Sequence, residues 1–475
     1  MPDNVSMKKA VAWTALAKYS TAVLGVLFSA ILSRLLTPNE YGTVAVINIF
    51  VVLFTLFCDM GFGAAVIQDK GMTEKQTNDI FSWTVYLGFI LQFLFILASF
   101  LISWIYEDSI YIPLGAILSC SLFFGATNMI PNAMMLKQKR FKTIAYRTIL
   151  CQITTALFTI FLATRGLGVY ALVLQNLLSN LLIFIWNELT VRLKFLCQPE
   201  FSSIRRIWGY SVYQFLTHLL NFFNRNLDSL LIGKFFSKAD LGQYNKSYTL
   251  MQMPISYIPG VLGPALHPIL SEHQNDPKYI YDRYLGILKI LSIVGCFLTC
   301  LLYFNSEEIV ILLFGDQWYA AILPFKILAL SVWPQLLINT IGPIYQSIGN
   351  TKLMFKSGII IGPMIIAFII IGCIFGSINT VAICVTIAYF LNFLVAFIIM
   401  VRYGFNESVS SFFLSFYHEL IFFSVMISVT FLPFNIGNLL LSFVVKIAFL
   451  TAVFFILLLS TKQYKIFLPL FHLNK

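Results

Sequence analysis

The chain has 475 residues, of which 59% are hydrophobic and 11% charged, with a mean hydropathy of +0.85. So little polar surface cannot cover a water-soluble globule, which excludes that class and indicates an integral membrane protein. The net charge of +11 follows from how Lys and Arg are distributed about a membrane and does not indicate a nucleic-acid partner.

Apolar stretches long enough to cross a bilayer recur from one end of the chain to the other. A helix needs about 20 apolar residues for this, and the pattern predicts an all-α membrane protein with about fourteen transmembrane helices. No connecting loop is long enough to form a soluble domain. The predicted spans cover residues 10–36, 41–67, 80–104, 112–136, 144–164, 169–191, 207–236, 241–266, 285–304, 323–348, 358–375, 381–401, 412–432 and 436–460.

The basic residues predict the orientation of these spans. Lys and Arg are retained on the cytoplasmic side of short loops. If the N-terminus lies in the cytoplasm, 20 basic residues fall on the cytoplasmic side and four on the other side, which are Arg34, Arg165, Lys234 and Lys238. The outer loops after spans three and nine carry acids instead, which are Glu107, Asp108, Glu307, Glu308 and Asp316. Both termini are therefore predicted to be cytoplasmic.

A sequence repeat appears when the chain is shifted by 200 residues. Residues 33–42 (SRLLTPNEYG) then align with residues 233–242 (GKFFSKADLG), so that cation pairs with cation, hydroxyl with hydroxyl, acid with acid and glycine with glycine. The same shift places Gly63 on Gly263. Duplicated halves are typical of alternating-access transporters, which hold their substrate between the halves. The repeat therefore favours a carrier.

Several kinds of chemistry have no sequence signal. The chain lacks a nucleotide-binding Gly-x-x-x-x-Gly-Lys-Ser/Thr loop and the His-Glu-x-x-His and Gly-x-Ser-x-Gly motifs of hydrolases. Its five His are scattered and its eight Cys form no Cys-x-x-Cys pair. We therefore predict no enzymatic activity, no cofactor and no metal site, and the first apolar stretch is too long for a cleavable signal.

The first two spans each contain a charge. Lys18 lies eight residues inside span one, where it could line a cavity or extend toward the cytoplasmic interface. Asp59 shares span two with Asn48 and Thr55. Its carboxylate could bind a coupling cation or proton, or pair with Arg225 or Lys18.

Span seven has the clearest polar pattern. Five polar residues spaced four, three, four and three apart share one side of a helix. The stripe consists of Gln214, His218, Asn221, Arg225 and Asp228. Because intramembrane charges are costly, such a stripe favours the lining of a cavity. A buried polar network that joins helices, with Arg225 paired to Asp228, is the alternative, and both interpretations can hold.

Other charges near the spans are weaker candidates. A shift of 200 residues places the span-seven stripe within span one, where Lys18 is again a cation inside an apolar stretch; the aligned residues are Thr14, Lys18, Thr21, Gly25 and Phe28. Lys246, near the outer end of span eight, is a further possible cavity residue. Arg147, Lys289 and Lys326 are close to span ends, where snorkelling is expected. A cationic cavity suits an amphiphile with an anionic head, since Arg binds phosphate by two hydrogen bonds and Lys as a point charge.

Residues 33–42 and 59–68 (DMGFGAAVIQ) resemble the N-terminal signature of bacterial polysaccharide flippases in the multidrug/oligosaccharidyl-lipid/polysaccharide exporter superfamily, most closely its Wzx-like branch. The resemblance extends over roughly residues 8–400. It implies two six-helix lobes around a central cavity, two additional helices and a cytoplasmic tail. These regions are residues 8–195, 204–402, 412–460 and 461–475.

The resemblance also implies a function. An undecaprenyl-diphosphate-linked oligosaccharide, the repeat unit of O-antigen, capsule or exopolysaccharide, would move from the inner to the outer leaflet of a bacterial inner membrane. Lys18 and Arg225 occupy positions comparable to the cavity cations of related lipid flippases, and Gln214, His218, Asn221, Asp228 and Lys246 complete the predicted substrate site. Span two has Asp59 but no arginine, so part of the head-group contact has no assigned residue.

Two other functions compete with this one. A cation-coupled drug exporter of the same superfamily would favour acidic cavity residues, against which Lys18 and Arg225 argue. A membrane polysaccharide polymerase would need a long outer loop with catalytic residues, which the sequence lacks. The expected partners are the lipid-linked oligosaccharide and membrane lipids, with a polysaccharide polymerase and assembly proteins as further candidates.

Overall fold

The computed structural model describes residues 7–467 except 60–61, 70, 202–218, 220–221, 224, 258–269, 272, 275, 433 and 435. Every regular element in these residues is helical. The helices of the first half are α1 (Met7–Leu35), α2 (Pro38–Asp59), α3 (Phe62–Gln68), α4 (Glu74–Tyr106), α5 (Tyr111–Lys137), α6 (Phe141–Thr164), α7 (Val169–Val191) and α8 (225–235).

The second half continues with α9 to α19. They are α9 (Lys238–Tyr257), α10 (Pro277–Phe304), α11 (Ser306–Phe314), a 3₁₀ turn (Asp316–Ala321), α12 (Ile322–Ala329), α13 (Val332–Ile338), α14 (Ile341–Ser347), α15 (Thr351–Ile374), α16 (Ile378–Ile399) with a π-helical end (Met400–Phe405), α17 (Val409–Leu414), α18 (Tyr417–Val429), α19 (Leu439–Ser460) and a final 3₁₀ turn (Gln463–Phe467).

Within the described residues, ten helices are long and apolar enough to cross a membrane, or eleven if one bent pair is a single span. The chain is thus a multi-pass membrane protein. Large apolar side chains remain exposed along these helices, among them Trp104 and Ile374, as expected of surfaces that face lipid. The predicted count of fourteen stays a prediction, because spans seven and eight fall partly outside the described residues.

Two predicted spans are not continuous helices. The stretch 323–348 is divided among α12, α13 and α14, with a bend of 51° between the segments 316–329 and 332–347. The reason is proline: Pro324, Pro334 and Pro343 each lie in the first turn of one of these helices, where a missing N–H is tolerated. The apolar length alone does not show these breaks.

Predicted span two includes α2 up to Asp59 and α3 from Phe62, and residues 60 and 61 between them lie outside the described residues. The other break has a different local cause. Predicted span thirteen is divided between α17 and the 13-residue α18 by a turn at Ser415 and Phe416.

Two compact units comprise residues 1–242 and 243–475. In the first, α1 packs on α6, and α5 packs on α4 and α7. In the second, α10 packs on α13 and α18, and α15 packs on α16. The core of the second unit centres on Trp333, which stacks on Phe390 and Phe423 and donates a 2.9 Å hydrogen bond to Ser292. The predicted lobe boundaries at 195, 204 and 402 stay predictions.

Candidate functional site

The two copies of the repeat begin their helices in the same way. The backbone N–H and hydroxyl of Thr37 donate to Glu40 Oε2 at 2.7 and 2.9 Å. The N–H and hydroxyl of Ser237 donate to Asp240 Oδ2 at 3.3 and 2.6 Å. Each acid thus fixes the turn that enters α2 or α9, as in a capping box. The aligned hydroxyls and acids therefore have equivalent structural roles.

Lys18 lies on α1 and is half-buried. One turn further along the helix, the Thr21 hydroxyl donates to the carbonyl oxygen of Lys18 at 2.9 Å, and Gln152 of α6 donates to the carbonyl oxygen of Thr21 at 3.0 Å. Polar side chains of α1 and α6 therefore lie within one turn of Lys18.

Asp59 is the last residue of α2, and its side chain lies outside the described residues. Its two predicted neighbours on the same helix are described. Asn48 accepts a 3.3 Å hydrogen bond from Asn176 of α7, and the Thr55 hydroxyl donates to the carbonyl of Val51. Asn48 therefore joins helices within the first unit.

The structure describes two members of the span-seven stripe, both on α8. Arg225 is exposed, whereas Asp228 is only 4% exposed and its Oδ1 accepts a 2.7 Å hydrogen bond from the N–H of Ser229. The two charges share a helix but have different environments. Gln214, His218 and Asn221 lie outside the described residues.

Lys246 on α9 is buried in the second unit. Its ammonium lies 4.6 Å from the centroid of the Phe314 ring and 5.4 Å from that of Trp318, within the range of cation–π attraction. Two hydrogen bonds connect this face of α9 to the 3₁₀ turn at Asp316–Ala321. Gln243 donates to the carbonyl oxygen of Gln317 at 2.9 Å, and Ser247 donates to that of Ala321 at 2.7 Å.

A cation expected from the sequence to snorkel is instead buried on α6. Arg147 is 6% exposed and donates to Asn187 Oδ1 at 2.5 Å and to Asn132 Oδ1 at 3.1 Å, while Asn187 donates to Asn128 at 2.8 Å. The expected snorkelling is therefore wrong for Arg147, because three asparagines on α5 and α7 offer it partners inside the helix packing. Those asparagines, in otherwise apolar helices, were the available signal.

A second buried charge overturns the placement of Glu308 in an outer loop. Glu308 lies in α11, is 2% exposed and pairs with Lys446 of α19, and Ser442 donates to the same carboxylate oxygen at 2.7 Å. The loop prediction failed because α11 starts directly after Asn305. Lys446, inside the last apolar stretch, was the signal for a buried partner.

Five of the predicted site residues can be assigned to a unit. Lys18, Asp59, Arg225 and Asp228 belong to the first unit and Lys246 to the second. The part of the chain that the structure describes contains no group of three or more His, Cys, Asp or Glu side chains that could hold a metal ion. The side chains of the site offer charge and hydrogen bonds, which suits recognition of a polar head group.

Known proteins resemble this chain over most of its length. It is 24% identical to the teichuronic acid biosynthesis protein TuaB of Bacillus subtilis over 81% of this chain and 80% of that protein. It is 20% identical to the lipopolysaccharide biosynthesis protein WzxC of Escherichia coli over 85% and 82%. The solved structure of the lipid II flippase MurJ in an inward closed conformation has the same fold, with a TM-score of 0.75, 16% identity and coverage of 96% and 99%.

The family described as polysaccharide biosynthesis protein matches residues 31–323, which is more than half of the chain. The matched region includes both copies of the repeat. The resemblance to polysaccharide biosynthesis proteins predicted from the sequence is confirmed, and the chain belongs to the polysaccharide biosynthesis protein family.

Proposed function

We propose that this protein is a flippase that moves an undecaprenyl-diphosphate-linked oligosaccharide from the inner to the outer leaflet of a bacterial inner membrane. The observation that carries the proposal is the likeness to two polysaccharide biosynthesis proteins, each over about four fifths of this chain. The glycan would be a repeat unit of O-antigen, capsule or exopolysaccharide, and a polymerase and assembly proteins would take it up outside. The protein itself is a transporter without catalytic residues.

The proposed mechanism is alternating access by two six-helix lobes, residues 8–195 and 204–402. Lys18 meets the diphosphate while the cavity is open to the cytoplasm, and Arg225 binds it after the lobes rock. The exposed guanidinium of Arg225 supports this role, since it is free to bind a phosphate by two charge-assisted hydrogen bonds. Gln214, His218 and Asn221 would bond sugar hydroxyls. Asp59 would hold a coupling ion or a cationic partner, and both termini would be cytoplasmic.

Lys246 is the weakest member of the proposed site. Its ammonium faces two aromatic rings, so it would reach substrate only if α9 moved away from the 3₁₀ turn. Asp228 is buried on the same helix as Arg225, and we propose that it orients α8 while Arg225 contacts the diphosphate.

Substitution of Arg225 tests the proposal. Charge-assisted hydrogen bonds contribute about 1.5–3 kcal/mol, so Arg225→Ala should lower export of the glycan by about ten- to a hundredfold at normal protein abundance. Lipid-linked glycan should then accumulate in the inner leaflet. Arg225→Lys should restore export only in part, because a point charge cannot form the bidentate contact.

Two variants make this test specific. Arg165→Ala removes another exposed arginine, which stacks on Phe161, and should leave export unchanged. Asp228→Asn separates binding from structure: if Arg225 and Asp228 act only as a structural pair, either substitution should lower protein abundance in proportion to export. Normal export by a well-expressed Arg225→Ala protein would contradict the proposed role of this arginine.

The drug exporter is the alternative function, because a shared fold at 16% identity does not identify the substrate. An exporter of organic cations would be improved, or left unharmed, by removal of Lys18 or Arg225. A deletion strain that is sensitive to organic cations would favour the drug exporter if the parent chain and the Arg225→Ala variant both restored its resistance.

A further inference from the structure

The two copies of the repeat contact each other through their glycines. A Cβ atom at Gly42 would lie 1.7 Å from the carbonyl oxygen of Lys238, and one at Gly242 would lie 2.0 Å from that of Pro38. Pro38 and Lys238 are equivalent under the 200-residue shift. The contact is therefore reciprocal, as around a two-fold axis, and it lies wholly within the first unit.

Two ion pairs clamp the second copy from the loop between α4 and α5. Lys234 Nζ lies 3.3 Å from Glu107 Oε1 and donates to the carbonyl of Ile105 at 2.5 Å. Lys238 pairs with Asp108, and its ammonium lies 5.7 Å from the centroid of the Tyr111 ring. We call these residues, with the two glycines, the repeat clamp.

The Asp108–Lys238 pair of the clamp has no equivalent at the first copy of the repeat. Under the 200-residue shift, Glu107 and Asp108 align with Glu307 and Glu308. Lys238, however, aligns with Pro38, which carries no charge. Glu308 pairs instead with Lys446 of α19. Lys446 of the C-terminal helix α19 therefore provides the cation for Glu308 in place of the lysine that the first copy lacks. Both residues of this pair belong to the second unit.

The composition of the clamp suits a contact that forms and breaks repeatedly. At Gly42 and Gly242 the two backbones meet directly, so these two points can separate without moving an interlocked side chain. Partly exposed ion pairs are individually weak and gain water when they open. A permanent joint of helices would use apolar side chains, as the core around Trp333 does.

We propose that the repeat clamp is a latch that keeps the side of the carrier predicted to face outward closed, and that it must release in each transport cycle. The proposal rests on the alternating access proposed above. Val46 reports its state, because this side chain is fully buried one turn beyond Gly42, with its Cγ2 3.1 Å from where a Cβ of Gly233 would lie.

The test uses the full chain with its eight cysteines replaced and Val46→Cys added, in proteoliposomes that contain no glycan. The rate of reaction with a membrane-impermeant maleimide is measured. Asp108→Lys places two cations together and should raise this rate by about fivefold, because the loss of a partly exposed ion pair corresponds to at most about that factor. The swap Asp108→Lys with Lys238→Asp restores opposite charges and should return the rate to that of the parent. Lys75→Glu, which breaks the 2.5 Å pair of Lys75 with Glu200, is the matched control and should change nothing.

Salt provides a second measurement that needs no charge substitution. The parent chain should react faster as salt rises from 0.1 to 1 M, because the screening length falls from about 10 to about 3 Å. A rate for Asp108→Lys within about twofold of the parent, a swap that fails to restore it, or an absent salt effect would overturn the latch. Because no glycan is present, these outcomes do not depend on what the carrier transports.

Discussion

Charged side chains inside the apolar part of this chain have specific partners. Arg147 has two asparagine oxygens, and Glu308 has Lys446 and Ser442. An isolated charge would be expensive among these helices, and these partners offset part of that cost. The contrast with the exposed Arg225 supports different roles, structural for the paired charges and substrate contact for Arg225.

The Glu308–Lys446 pair should contribute to stability as a unit. Lys446→Met leaves a buried carboxylate without its cation and should lower the free energy of unfolding by about 3–5 kcal/mol. The double variant Glu308→Gln with Lys446→Met removes both charges and should recover most of that loss. Thermal unfolding in detergent, followed by tryptophan fluorescence, measures both. Equal losses in the single and double variants would show that the pairing is not what matters.

The pKa of Asp108 predicts how the latch responds to a fall in pH. Burial alone would raise its pKa, but hydrogen bonds from Lys238 and from the N–H of Ile110 outweigh burial and lower the pKa below its usual 3.8. The neighbouring groups are Glu107, Lys234 and Tyr111. A carboxylate with a lowered pKa stabilises the closed state at higher pH and loses this effect as pH falls through the lowered value.

Maleimide reaction of Val46→Cys should therefore be insensitive to protonation of Asp108 between pH 8 and pH 5 and should rise only below about pH 4, after correction for thiol reactivity with a free peptide. The variant Asp108→Asn should lack this step. A rise centred near pH 6 would point to a different titrating group.

At the scale of helices, the sequence allowed most spans to be predicted because apolar length is a strong signal. Ten described helices coincide with ten of the predicted spans. The failures at 323–348 and 412–432 arise where proline or a turn divides an apolar stretch without changing its hydropathy. Breaks of this kind depend on local backbone chemistry.

The repeat was also visible in the sequence, but its contact was not. Pattern matching aligned Gly42 with Gly242, whereas the reciprocal approach of Gly42 to Lys238 and of Gly242 to Pro38 is a tertiary fact. Likewise, the sequence showed that Arg225 and Asp228 share a helix face but not that one is exposed and the other buried.

Gly42→Ala tests this contact. The new methyl group would meet the carbonyl of Lys238 at 1.7 Å, so the two turns must separate, and the Val46→Cys reaction should rise by about tenfold or more, as for a lost clamp. Gly125→Ala is the matched control, since no atom lies within 4 Å of its Cβ position and alanine favours the helix. Equal rates for the two variants would mean that the backbones are not in contact in the membrane.

At the scale of the whole molecule, the chain belongs to the polysaccharide biosynthesis protein family and has the fold of the lipid II flippase MurJ. Neither fixes the substrate, which depends on the charges that line the path. The sequence pointed to cations at Lys18 and Arg225, and the structure gives the first a half-buried and the second an exposed position in the same unit. The glycan itself could not be predicted, because sugar recognition uses common polar side chains without a sequence signature.

The most direct test of the central claim is transbilayer movement by the purified chain. Proteoliposomes would carry an undecaprenyl-diphosphate-linked oligosaccharide, and an external lectin would measure the fraction that becomes accessible with time. The account predicts that the protein exposes the inner pool, that Arg225→Ala slows this by about ten- to a hundredfold, and that an organic cation does not compete. Equal lectin access with and without the protein, together with uptake of a fluorescent organic cation, would contradict it.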